Sequence, residues 1–186
     1  SVGAAGSQQT VTLGGKGVEI NSGIQLSVAD GTGSPGGTAE VAVAVDNARG
    51  IAGGDLTISY DVAVLTATQV RAGELLNAGG ITLIPNQATA GQVKVAMAGA
   101  AGLGSGSGVL LSISFDVKTG AVAGSSALGL QATLRDENGG VLPATTRNGT
   151  FTIGGSDSQV RLSVTSLAFD DTRVNSTSRK TFTVSN

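Results

Sequence analysis

Short runs in which apolar and polar residues alternate one by one, each closed by glycine-rich turn residues, constrain this chain more than any other feature. Val41, Val43 and Val45 alternate with Glu40, Ala42, Ala44 and Asp46. Leu56, Ile58 and Tyr60 alternate with Asp55, Thr57 and Ser59, and Val93, Val95 and Met97 with Gln92, Lys94, Ala96 and Ala98. Successive side chains of a strand point to opposite faces, so each run buries one row and leaves the other in water. The longest run sets Val109, Leu111, Ile113, Phe115 and Val117 against Leu110, Ser112, Ser114, Asp116 and Lys118. Ile24, Leu26 and Val28 open the series, before Asp30-Gly31-Thr32-Gly33-Ser34-Pro35-Gly36-Gly37 reads as a turn. Residues 64–70, 81–84, 127–134 and 150–153 supply further strand candidates.

About nine short strands with one apolar row each suit two sheets packed face to face. The 30 glycines against 3 prolines fit tight turns between such strands. The reading is therefore all-β, a nine-stranded jelly-roll sandwich with Val41, Val43, Leu56, Ile58, Val95, Ile113 and Phe115 inside. Aromatic residues make up only 3% of the chain, so Val, Leu, Ile and Ala must fill the core. A length of 186 residues allows one sandwich plus flanking material.

Histidine and cysteine are absent, which removes Ser-His and Cys-His nucleophile systems and any imidazole or thiolate metal site. A net charge of −2 with no basic stripe disfavours nucleic acid and anionic membranes as partners. No apolar stretch reaches the roughly 18 residues of a membrane span. Nothing in the sequence places two of Asp46, Asp61 and Glu74 across a cleft as a glycosidase pair, so no catalytic residue is assigned and no enzyme is expected. No cofactor and no metal site are expected either. Asp136-Glu137-Asn138-Gly139 and Asp170-Asp171 read as acidic turns, Asn148-Gly149-Thr150 and Asn175-Ser176-Thr177 as strand-edge chemistry, and Gly99 to Gly108 as a flexible loop.

Several motifs, in order along residues 23–154, carry a resemblance. Arg49-Gly50-Ile51-Ala52-Gly53-Gly54 leads into the alternating strand and then Tyr60-Asp61-Val62-Ala63-Val64-Leu65. Arg71-Ala72-Gly73-Glu74-Leu75-Leu76 follows, then Gly104-Ser105-Gly106-Ser107-Gly108 before the longest strand, and finally Asn148-Gly149-Thr150-Phe151-Thr152-Ile153. Together they resemble a cohesin domain, the receptor half of a cohesin–dockerin pair. The resemblance implies that one sheet face receives a dockerin helix pair, with Asp55 at the position of a recurring acidic contact and Gly53 where the family often has Asn. Thr57, Ser59, Lys94 and Ala96 would neighbour them on that face, whereas Gly99-Ala100-Ala101 stands where an acidic contact is often found. It also implies that calcium belongs to the dockerin and that the chain is extracellular or attached to a cell surface.

Residues 1–22 read as a linker or the end of a preceding unit. Residues 155–186, with Ser166-Leu167-Ala168-Phe169 and Thr181-Phe182-Thr183-Val184-Ser185-Asn186, resemble the first two strands of a Hydin-type immunoglobulin-like repeat. Two strands cannot bury a core alone, which leaves self-association through this C-terminal extension open. Two other functions stay open: a stalk or spacer, and a carbohydrate-binding sandwich, the latter disfavoured by one Tyr and no Trp.

Overall fold

The computed structural model describes residues 23–154, 161, 162, 174, 175, 177 and 179–185. Two sheets pack over one apolar core. The first has the order β11-β1-β3-β8-β5, formed by β1 (Ile24–Val28), β3 (Thr38–Val45), β5 (Leu65–Ala72), β8 (Gly108–Val117) and β11 (Ala144–Arg147). The second has the order β2-β12-β9-β4-β7-β6, with β10 paired to β9. Its strands are β2 (Gly31–Gly33), β4 (Gly53–Ser59), β6 (Thr82–Asn86), β7 (Gln92–Ala98), β9 (Gly124–Arg135), β10 (Val141–Leu142) and β12 (Gly149–Ile153). The helix α1 (Glu74–Ala78) follows β5, and the short pair β13 (Arg161–Leu162) and β14 (Val184–Ser185) lies C-terminal.

The alternation does what it implies. Val41, Val43, Leu56, Ile58, Val95, Ile113 and Phe115 are all buried in a single cluster that also takes in Leu26, Leu65, Leu128 and Phe151. The result is an all-β sandwich; its strand count depends on whether β1 and β2 are taken as one interrupted strand and whether the short β10 and β11 are included.

Four local features depart from the sequence reading or add to it. Residues 31–33, read as part of a turn, form β2, which pairs in parallel with β12 in the opposite sheet, so the true turn is Ser34 to Gly37. Asp30 holds this switch between sheets by accepting the Thr150 N–H at 2.8 Å. Glu74–Ala78 is a one-turn helix, too short to announce itself by periodicity, and it buries Leu76.

The third correction concerns β8. Val109 was expected inside and Leu110 outside, yet Val109 is 36% exposed and Leu110 fully buried. The cause is a bulge: Val43 pairs with Leu111 but Ala44 pairs with Val109, leaving Leu110 as the extra residue. One inserted residue reverses the parity of everything before it. Fourth, the loop after β7 is tied down rather than free. Leu103 is buried, donates to the Ile51 carbonyl and accepts from Gly50, while Gly106 accepts from Ala48.

The corner after β4 forms as the sequence implies. The Tyr60 ring meets Phe115 edge-on. Asp61 closes the turn by accepting the Ala63 N–H on Oδ1 at 2.8 Å, and its carbonyl accepts from Val64 and Leu65.

Candidate functional site

Strand β4 lies at the centre of the second sheet, with β7 on one side and β9 on the other, and its outward side chains therefore sit in an open sheet face. Asp55 stands directly across from Ala96 on β7 and from Thr133 on β9. Thr57 faces Lys94 and Gln131, and Ser59 faces Gln92 and Gly129. Residues paired this way project on the same side of a sheet. Asp55, Ser59, Lys94 and Ala96 are exposed and Thr57 is half-buried, so five of the six residues singled out from sequence share one accessible surface.

Gly53 lies in the same row, between Ala98 and Arg135, but is buried and offers no side chain. A Cβ built on it would approach the Met97 carbonyl oxygen to 2.7 Å. Its neighbour Gly54 has φ of 153° and no room beside the Thr133 carbonyl oxygen. The glycine pair thus lets β4 run close to both neighbours just before Asp55.

The face has little relief. Asp55, Thr57, Lys94, Ala96, Ile84 and Asn86 border a shallow depression of about 320 Å³. Sequence reasoning missed Ile84: it was read only as part of a strand, but β6 pairs it with Ala96 and leaves it 60% exposed beside the depression. Arg135 is drawn aside, donating from Nη1 to the Gly139 carbonyl at 3.1 Å. A larger cleft of about 840 Å³, bordered by Glu40, Arg71 and Glu74 near α1, opens beside the other sheet, away from these residues.

The acidic turn at the end of β9 is closed by its own backbone. Asp136 Oδ1 accepts from Asn138 at 2.9 Å and from Gly140 at 2.7 Å, the usual job of Asp in a turn. Asn148, too, serves the sheet, accepting the Leu130 N–H on Oδ1. Asp170-Asp171 lies outside the described residues. Among the described residues no three acidic side chains come together as a metal site would require, and no helix is long and apolar enough to cross a membrane.

A shallow face of small and polar side chains does not enclose a small molecule as a ligand pocket does. The cohesin domain family matches residues 24–153, and the chain belongs to that family, whose members are non-catalytic protein-interaction modules. Cohesins are typically extracellular or cell-surface modules of scaffoldins.

Solved structures agree. A non-cellulosomal cohesin from the hyperthermophilic archaeon Archaeoglobus fulgidus is 28% identical with a TM-score of 0.64, the match covering 72% of this chain and 92% of that one. CaCohA2 from Clostridium acetobutylicum is 25% identical with a TM-score of 0.62, covering 70% and 90% respectively. The sixth cohesin of scaffoldin B from Acetivibrio cellulolyticus, solved in complex with a dockerin, has a TM-score of 0.64 over 72% of this chain and 100% of that one; at 24% identity it shares the fold. No match was found among curated protein sequences.

Proposed function

We propose that this chain is a receptor for a calcium-loaded dockerin carried by another secreted protein, and that the β9-β4-β7-β6 face is the docking surface. The observation that carries the reading is the position of Asp55: an exposed carboxylate at the middle of an open sheet face, flanked in register by Ala96 and Thr133. Small neighbours let a helix approach the sheet closely, and the carboxylate then accepts hydrogen bonds from the helix that lands there. Thr57, Ser59 and Lys94 supply further polar contacts around it. Calcium is a property of the partner, whose loops need the ion to fold, and no metal is assigned to this chain.

The family's typical setting supports an extracellular or cell-surface location. In this reading residues 23–154 are the docking module, residues 1–22 a linker or the end of a preceding unit, and residues 155–186 a linker and an incomplete immunoglobulin-like module of the Hydin type. Within that tail β13 and β14 pair only with each other among the described residues, Arg161 with Ser185 and Leu162 with Val184. Two short strands bury no core of their own, and this supports self-association by strand addition.

A pull-down of dockerin-bearing proteins in calcium and in chelator tests the reading. Retention in calcium that is lost in chelator is the expected result. A stalk or spacer retains no dockerin in either condition.

A further inference from the structure

We propose that Ile84 and Val141, at opposite margins of the Asp55 face, are the two apolar anchors on which the partner's helices seat. This rests on the dockerin reading given above. Val141 on β10 pairs directly with Arg135, which pairs with Gly53, which pairs with Ala98 on β7. One row further along β7, Ala96 pairs with Ile84 on β6. Both aliphatic side chains therefore project from the same side as Asp55, and they are 64% and 60% exposed respectively.

Between these margins the floor is low: Gly53 contributes only backbone, Ala96 and Ala98 contribute methyl groups, and the Arg135 guanidinium is turned toward Gly139. From β10 to β6 there are four strand spacings, or about 19 Å at roughly 4.8 Å each. Two packed helices, with axes about 9 Å apart and a diameter of about 11 Å each, are about 20 Å wide. A helix pair laid on this floor thus reaches Ile84 with one flank and Val141 with the other, with Asp55 beneath its centre. A single helix along the strands covers only one of them. Exposed aliphatic groups gain from burial only when a partner covers them, and here both stand where the paired helices would do so.

The test uses the full chain and whichever dockerin it retains in calcium. Isothermal titration compares Ile84→Ala, Val141→Ala, the double variant, Asp55→Ala and, as a control on the opposite sheet, Val109→Ala. Each single anchor variant is expected to weaken binding about tenfold and the double about a hundredfold, since sites this far apart act independently. Val109→Ala should bind as the parent does. Unchanged thermal melting checks that these exposed substitutions leave the fold intact. If the double variant binds like the parent while Asp55→Ala binds more weakly, the two-anchor footprint is wrong and the dockerin reading stands. If the unaltered chain retains no dockerin, both are wrong.

Discussion

The ring of Tyr60 meets that of Phe115 edge-on, with centroids 5.3 Å apart and planes inclined at 71°. Tyr60 directly follows β4 of one sheet and Phe115 lies in β8 of the other, so this contact ties the two layers together at the corner where the Asp55 strand ends. Phe115 is fully buried in a core made mostly of aliphatic side chains, with Phe151 the other fully buried ring. Phe115→Ala should cost about 3–5 kcal/mol through lost burial and the cavity left behind. Tyr60→Ala, at a half-buried ring, should cost less, about 1–3 kcal/mol. Urea unfolding of both variants gives the comparison, and equal costs would contradict it.

The bulge in β8 makes a sharper test, because it reverses what simple alternation implies. Leu110→Ala should destabilise the fold by about 2–5 kcal/mol, whereas Val109→Ala should cost less than about 1 kcal/mol. The opposite order of midpoints in chemical denaturation would mean that the strand follows the unbroken alternation of its sequence.

Much of the architecture is legible in the sequence because a half-buried strand has a period of two that few other structures share. The rows through Val41, Leu56, Val95 and Ile113 are read directly from that period, and so is the outward row of Asp55, Thr57 and Ser59. What escapes is whatever depends on a partner strand distant in sequence. The extra residue at Leu110 is set by pairing with β3, and the strand Gly31–Gly33 looks like a turn because only its parallel pairing with residues 151–153 makes it a strand. Ile84 and Val141 sit in short segments whose facing is fixed by registers with Ala96 and Arg135, which composition does not encode.

At the start of β4, Gly54→Ala should destabilise the protein by more than about 1 kcal/mol. Its φ of 153° suits glycine, and an added methyl runs into the Thr133 carbonyl oxygen. Gly104→Ala is the matched control, with nothing within 4 Å of the added carbon. Thermal melts of the two variants should separate by several degrees, and coincident melts would show that β4 tolerates a side chain there.

Self-association through the tail predicts dependence on the β13–β14 ribbon. Replacing Val184 by proline removes an N–H from β14 and should abolish any concentration-dependent rise in mass seen by sedimentation. A rise that persists unchanged in Val184→Pro would place the contact elsewhere.

The central claim is that the Asp55 face docks a dockerin, and the most direct measurement of it is the affinity of Asp55→Ala and of Asp55→Ala with Thr57→Ala for a dockerin that the parent chain retains in calcium. Loss of the carboxylate should weaken the complex by about 1–3 kcal/mol, and the double variant should bind more weakly still, with unchanged melting temperatures. Binding that is unaffected when both residues are replaced would contradict the account.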